Sequence, residues 1–211
     1  MTKWQTYTEV WTYIKTSKNR MMPFLALCSL ILLCTLPAFQ LSWQLLHNTL
    51  GANPVESLIH TTGDWALYFL LITLAMPLIL KKWPWPLPLP EYLIKRTLGL
   101  MAFLYASLHF GLYLFFDLER HLNALLMDIQ DRPFIAIGLF AWLLLIPLAL
   151  TSTQNWQKRL KKHWHKLHKT IYLITGLGIL HYFLIVKIDF SQPLLLLFIF
   201  VTLIWLKAHK T

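Results

Sequence analysis

Charged residues are scarce in this sequence of 211 residues, in which Asp, Glu, Lys and Arg together make up only 13%. Soluble domains carry about 25% charged residues, so this scarcity excludes an ordinary soluble domain. Hydrophobic residues make up 57% of the chain, and they are gathered into long runs. This composition predicts a protein whose solvent is a lipid bilayer.

The sequence also has few cysteines and lacks a nucleotide-binding fingerprint. The sequence has only two cysteines, Cys28 and Cys34, and both lie in one apolar run. Six residues turn a helix through about 600°, so the two thiols do not share a face and are predicted to be unpaired packing residues. No G-x-G-x-x-G fingerprint occurs, and the loops are too short for a flavin or nicotinamide domain.

Six apolar runs approach the length of about 20 residues that a helix needs to cross a bilayer. They predict an all-α integral membrane protein, a bundle of six transmembrane helices over residues 23–207, with a segment 1–22 before it and a tail 208–211 after it. A proline-rich stretch at residues 83–90 cannot continue a helix and is expected to lie extended along the interface. The predicted spans are residues 23–46, 65–80, 97–116, 134–151, 170–186 and 193–206.

The basic residues fall on one side of the predicted bundle. All but three of the 19 Lys and Arg residues lie before the first span, after the sixth, or in the second and fourth loops. Basic residues are retained on the cytoplasmic side during insertion, so both termini are predicted to be cytoplasmic. The net charge of +10 then reflects short loops that face anionic membrane lipid, and no nucleic-acid partner is expected.

Two histidines lie deep inside predicted spans. His109 follows Arg96 by 13 residues and His181 follows Lys169 by 12, which places them about 20 Å and 18 Å from the cytoplasmic edge. Their two spans run in the same direction, so the two imidazoles reach the same depth. A lone intramembrane histidine can serve a function or simply hydrogen-bond a neighbouring helix. The matched depth favours two axial ligands of one haem b iron, with no open position for oxygen.

His168 is a third candidate ligand. It precedes His181 by 13 residues, about 20 Å nearer the cytoplasm, which suits a second haem, but a straight helix would aim the two side chains about 220° apart. Gly176 and Gly178 could allow local distortion of the helix or the close approach of a porphyrin. The alternative, weighted equally, is a solvated interfacial histidine in a basic segment. No Cys-x-x-Cys-His motif occurs, so one or two haems would be held non-covalently.

The other histidines are weaker candidates. His60 could touch a haem propionate or a partner, although an ordinary interfacial role is favoured. His163 and His165 lie in a basic stretch that is typical of lipid headgroup contact and could equally attract the phosphate of a flavin such as FMN. The histidines interpreted as loop or boundary residues are His47, His121 and His209.

Several short segments match the motifs of a known family in order and spacing. They are Gly51-Ala52-Asn53-Pro54-Val55, Leu98-Gly99-Leu100 with His109, Thr151-Ser152-Thr153, Trp164-His165-Lys166-Leu167-His168, His181-Tyr182 and Val186-Lys187. On these segments, which span residues 51–187, the chain resembles the MsrQ family, also called YedZ, of haem-binding membrane subunits. That family is part of the ferric-reductase-like transmembrane group.

The resemblance implies a non-catalytic electron-transfer subunit in a bacterial inner membrane. The family's haem ligands fall on His109, His168 and His181. Electrons would arrive from a cytoplasmic flavin reductase or from quinol, and leave to a periplasmic molybdopterin-dependent methionine sulfoxide reductase that repairs oxidised proteins. Larger relatives carry two histidines on each of two helices, whereas the third span here has only His109, so a complete second bis-histidine site is not predicted.

Two alternatives stay open. A quinol-oxidising cytochrome b subunit of another periplasmic oxidoreductase would use the same ligands and would also need a quinone pocket. A metal or proton transporter would use the histidines to bind an ion or to relay protons.

Overall fold

A computed structural model describes residues 21–82, 89–118 and 122–209. The predictions for residues 1–20, for most of the proline-rich stretch, for His121 and for the last two residues of the tail lie outside these ranges. Within them the chain forms no strand. The helices are α1 Met21–Leu46, α2 Pro54–Lys82, α3 Glu91–Leu112, α4 Leu122–Asp131, α5 Pro133–Leu150, α6 Gln154–Leu160, α7 Lys162–His168, α8 Ile171–Ile185 and α9 Ser191–Ala208, and a π-helical turn, Tyr113–Asp117, continues α3.

The helices confirm an all-α integral membrane protein. Among the described residues, α1, α2, α3 with its π turn, α5 and α9 are long and apolar enough to cross a bilayer. Large apolar side chains cover the outside of the bundle, and Phe24, Leu32 and Phe198 are about two-thirds exposed, as a lipid-facing surface requires. The 15-residue α8 is about 22 Å long, which is short for a membrane span. The count of six spans therefore stays a prediction, and so does the side of the termini, which depends on that count.

The second helix begins earlier than the sequence predicts. Residues 65–80 were expected to form this span, but α2 begins at Pro54. Proline is favoured in the first helical turn, and the preceding Asn53 side chain caps the helix. Its Oδ1 accepts from the backbone N–H of Glu56 at 3.3 Å, and its Nδ2 donates to Glu56 Oε2 at 2.9 Å. The polar residues 60–64 therefore lie within a helix and not in a loop.

A buried tyrosine attaches α1 to the rest of the bundle. Tyr105 of α3 is completely buried, and its hydroxyl accepts from the Ala38 N–H at 3.1 Å and donates to the Cys34 carbonyl at 2.9 Å. Both backbone groups lie beside Pro37, which is inside α1 and lacks an N–H of its own. The phenol thus gives hydrogen-bond partners to two backbone groups near this proline.

Two helix pairs build the centre of the molecule. The most extensive contacts join α2 to α3 and α5 to α8, and α3 also packs on α5. Trp142 of α5 donates from Nε1 to Ser107 Oγ of α3 at 3.0 Å. Each of the predicted ligands His109 and His181 therefore lies on a helix that is closely paired with a neighbour.

The α8 glycines do not distort their helix. Gly176 and Gly178 lie within a regular helix, and the chain instead interrupts the helix at Lys169 and Thr170, between α7 and α8. His168 therefore belongs to a separate short helix, so its direction relative to His181 is set by this turn.

Candidate functional site

A large cavity lies among α2, α3, α5 and α8. Its volume is about 1190 Å³, above the roughly 300–1,000 Å³ of ordinary small-molecule sites. It opens at the end of the bundle where α2 and α5 begin and where α3 and α8 end. The distribution of basic residues predicts that this end faces the outer side of the membrane.

His109 and His181 face each other across this cavity. Their ring centroids are 6.0 Å apart, and the ring planes are almost perpendicular, at 87°. A metal ion binds imidazole nitrogen at about 2 Å, so two imidazoles on opposite sides of one ion have centroids about 6 Å apart. The observed spacing of the two centroids is therefore close to that of two imidazoles bound to a single iron.

Backbone carbonyls fix the tautomer of both histidines. His109 Nδ1 donates to the Ile59 carbonyl of α2 at 2.8 Å, and His181 Nδ1 donates to the Phe134 carbonyl of α5 at 2.6 Å. A carbonyl can only accept, so the proton of each neutral ring is on Nδ1 and the lone pair is on Nε2. Metal-bound histidines are oriented in this way by their second nitrogen.

A glycine lies against each imidazole. A Cβ atom on Gly63 would lie 2.9 Å from His109 Nδ1, and one on Gly138 would lie 2.7 Å from both Nδ1 and Cε1 of His181. Real Cβ atoms essentially never approach so closely. The two imidazole rings therefore occupy the space that a side chain at position 63 or 138 would fill.

The cavity is polar at its mouth and apolar at depth. His60, Arg132 and Lys187 lie at the mouth, together with acidic side chains, whereas Leu70 and Ile174 line the deep end. This pattern suits an amphipathic planar group that enters with its charged edge outward.

A hydrogen-bonded network braces one side of the mouth. Asp128 Oδ2 accepts from Tyr113 Oη at 2.6 Å and from Arg132 Nη2 at 2.5 Å. The Arg132 hydrogen bond, together with that of Tyr113, holds the pKa of Asp128 below its ordinary value. The carboxylate is therefore ionised near neutral pH, and it ties α4 to the start of α5.

His168 lies outside this cavity. Its Nε2 is 3.1 Å from Thr151 Oγ1, whose own hydrogen is donated to the Pro147 carbonyl at 2.6 Å. Nε2 of His168 must therefore be the donor, and its ring stacks on Trp164 at 3.9 Å. Burial and the nearby His165 lower the pKa of His168 to about 4, so this imidazole is neutral near pH 7.

The other described histidines are distributed around the surface. His60 lines the cavity mouth and lies 3.7 Å from Glu56. His47 and His209 each bond through Nδ1 to the carbonyl four residues earlier, at 2.9 Å and 3.0 Å, beside a tryptophan. His163 and His165 are exposed, within the basic segment where the sequence placed them.

The paired histidines fit a porphyrin iron better than a bare metal ion. Among the described residues no group of three or more His, Cys, Asp or Glu side chains is arranged to hold a metal. An iron that already has four porphyrin nitrogens needs only two protein ligands. The spacing, the free Nε2 atoms, the two glycines and the volume all fit such a group.

Sequence reasoning missed the partners of the two ligands. Gly63 and Gly138 were not singled out, nor were the carbonyls of Ile59 and Phe134. The available signal was the rarity of glycine, seven residues in the whole chain, in two helices whose apolar pattern gives no reason to place a glycine there.

Fold and site together define a polytopic α-helical membrane protein in which two histidines from different helices face one cavity. The profile of the family described as ferric reductase like transmembrane component matches residues 62–179, more than half of the chain. The chain belongs to this family.

Curated relatives are similar over most of the chain. A protein-methionine-sulfoxide reductase heme-binding subunit MsrQ of Herminiimonas arsenicoxydans is 46% identical over 171 residues, which cover 79% of this chain and 76% of the relative. The protein of the same name from Xanthomonas oryzae pv. oryzae strain MAFF 311018 is 44% identical over 168 residues, 80% of this chain and 76% of the relative. No solved structure matches the chain.

Proposed function

We propose that this protein is the haem b subunit of a bacterial methionine sulfoxide reductase system and carries electrons across the inner membrane. The observation that carries the proposal is the pair of imidazoles, His109 and His181, with centroids 6.0 Å apart in one cavity. The relatives' names supply the cofactor and the system. Haem b, when bound, would take up and release one electron at a time with both axial positions occupied.

The protein's own residues would orient the group. His109 and His181 would present Nε2 to the iron from opposite sides, because both Nδ1 atoms are engaged by carbonyls. Arg132 and Lys187 at the cavity mouth would pair with the propionates by charge-assisted hydrogen bonds. With the predicted topology, this haem would lie towards the outer face, close to an acceptor in the periplasm.

The donor and the acceptor are part of the same proposal. The donor is a cytoplasmic flavin reductase or quinol, and the acceptor is a molybdopterin-dependent catalytic subunit that docks at the outer loops. His168 is the candidate ligand for a second haem near the cytoplasm. It would have to exchange its Thr151 hydrogen bond for iron or bind through Nδ1. FMN is proposed only for the basic segment that contains His163 and His165.

The first test compares optical spectra of purified variants. We expect the wild type to show a b-type spectrum on dithionite reduction, with haem quantified as the pyridine haemochrome. His109→Ala and His181→Ala should each lose or shift that spectrum, since each removes an axial ligand. His47→Ala is the matched control, because His47 lies outside the cavity and should leave the spectrum unchanged.

A colourless wild type, or both variants with full haem and unchanged spectra, would overturn the electron-carrier proposal. The direction of transfer is tested in sealed vesicles that hold the protein in one orientation. Reduction of the haem by quinol, or by flavin reductase with NADH on the cytoplasmic side, identifies the donor. Oxidation by the purified periplasmic reductase with a methionine sulfoxide substrate identifies the acceptor, and failure of that oxidation would remove the proposed partner.

A further inference from the structure

Each of the two histidines is held by the same arrangement on the neighbouring helix. On α2, Ile59 offers its carbonyl to His109, and Gly63 lies four residues further on. On α5, Phe134 offers its carbonyl to His181, and Gly138 again lies four residues further on. The same spacing therefore occurs on two helices that are not adjacent in sequence.

Helix geometry places the glycine beside the carbonyl that lies four residues earlier. In an α-helix the carbonyl of residue i accepts from the N–H of residue i+4, and residues i and i+4 lie on the same face. A Cβ on residue i+4 therefore stands beside that carbonyl oxygen, where it would collide with a flat imidazole ring bonded to the oxygen. With glycine there, an imidazole can lie flat enough against the helix to donate to that oxygen.

The distances bear this out at both positions. The missing Cβ would meet His109 Nδ1 at 2.9 Å and His181 Nδ1 at 2.7 Å, which is the nitrogen that donates to the carbonyl in each case. The other five glycines differ. Gly51, Gly99 and Gly111 meet nothing within 4 Å, while Gly176 and Gly178 meet only the hydrophobic side chains of Phe200 and Leu67.

We propose that Ile59 with Gly63, and Phe134 with Gly138, are two equivalent imidazole clamps that fix the tautomer and ring plane of the haem ligands and thereby set the reduction potential. Gly63 and Gly138 are positioning residues, since they act only through the histidines. This inference rests on the proposed function, because the orientation of the rings matters to a potential only when both bind haem iron.

The clamps have a definite electronic effect. A hydrogen bond from Nδ1–H to a carbonyl raises the basicity of the ligand at Nε2, which favours ferric over ferrous iron. Loss of one clamp should therefore raise the reduction potential. A tenfold preferential loss of ferric affinity corresponds to about 59 mV for a one-electron couple, and loss of such an outer-shell partner typically costs 10–100-fold in metal affinity.

The clamp geometry also predicts the EPR signal of the wild-type protein. The ring planes are 87° apart, and bis-histidine haems with perpendicular planes give a highly anisotropic low-spin EPR signal, whereas parallel planes give an ordinary rhombic one. We expect the anisotropic signal from the ferric full-length protein in detergent. A rhombic signal from a haem that depends on both histidines would overturn the clamp geometry.

The decisive variants are Gly63→Ala and Gly138→Ala, with Gly111→Ala as the control. Gly111 lies on α3 with His109, and an added Cβ there meets nothing within 4 Å. Each clamp variant should raise the potential, by about 59 mV for every tenfold preferential loss of ferric affinity, lower haem retention about tenfold or more and change the largest g value. The control should keep the wild-type potential, haem content and EPR signal.

Protein stability separates positioning from misfolding. Glycine to alanine in a helix adds about 1 kcal/mol of helix propensity, which offsets the loss of about 1 kcal/mol for the broken histidine–carbonyl hydrogen bond, so haem-free variants should melt close to the wild type. If one variant fails to accumulate, the other still decides, since the clamps are equivalent, and the wild-type EPR signal decides independently. Unchanged potential and EPR in both variants overturns this inference alone, whereas a colourless wild type overturns the proposed function.

Discussion

Replacing Thr151 by valine would decide what His168 does. Thr151 is 9% exposed, and its hydroxyl donates to the Pro147 carbonyl and accepts from His168 Nε2 at 3.1 Å. Its carbonyl also accepts from Trp164 Nε1 at 2.9 Å. Valine keeps the shape of the side chain and the backbone contact to Trp164, and it removes only the hydroxyl.

The expected loss of stability comes from His168 Nε2–H, the donor that loses its acceptor. Without the hydroxyl, Nε2–H of His168 has no acceptor in its half-buried position, which costs about 1–2 kcal/mol. For a chain of this size each kcal/mol lowers the melting temperature by about 2–4 °C. The Pro147 carbonyl keeps the backbone N–H of Thr151 at 3.0 Å, so it adds little to the loss. The variant should therefore melt about 2–8 °C lower.

Thermal unfolding in detergent and the optical spectrum are measured on the same sample. Thr202→Val is the matched control, because Thr202 is partly buried and its hydroxyl also donates to the carbonyl four residues earlier, in a helix that does not carry His168. The control should melt as the wild type does. If His168 keeps its hydrogen bond to Thr151 in the haem-loaded protein, the Thr151→Val spectrum should stay that of the wild type, because neither Thr151 nor His168 lines the cavity.

A change in haem content or spectrum in Thr151→Val, without a change in melting temperature, would refute this reasoning. It would mean that His168 leaves Thr151 when haem is present and acts as an axial ligand. The complete experiment therefore distinguishes a hydrogen-bonded His168, which braces α7 against α5, from a second haem site.

Two further predictions concern stability. Tyr105→Phe removes the hydroxyl that bonds Ala38 and Cys34 of α1, and it should lower the free energy of unfolding by about 1 kcal/mol. The melting temperature should fall while the haem spectrum stays unchanged. Loss of the spectrum would contradict the conclusion that this contact is separate from the cavity. Asp128→Asn should lower stability near pH 7 by about 0.5–1 kcal/mol, an estimate reduced for the 45% exposure of Arg132. Because the folded pKa of Asp128 is lowered, its contribution is present above about pH 4 and is lost as the pH falls through that lowered value. The melting temperatures of the variant and the wild type should therefore converge at acidic pH, and a constant gap would argue against the ion pair.

Hydropathy alone was enough to predict the class of fold, and the positions of the histidines along their helices predicted the pair at the site. Depth counting placed His109 and His181 at one level because the rise of a helix is constant, and the structure brings the two rings together. It could not give the tautomer or the angle between the rings, because these depend on Ile59 and Phe134, which are 50 and 47 residues away. Contacts over such separations leave no local pattern in one sequence.

The error at the start of α2 and the omission of Gly63 have one physical cause. Polar residues such as His60 and Asp64 usually end an apolar run, so the sequence placed them before the span. They belong to the helix because they line a cavity, where a polar side chain need not face lipid. A glycine in the same stretch then looks like part of a loop, although its absent side chain is what makes room for His109. Where an intramembrane cavity interrupts a hydrophobic pattern, the residues that shorten a predicted span are therefore the first candidates for the site itself.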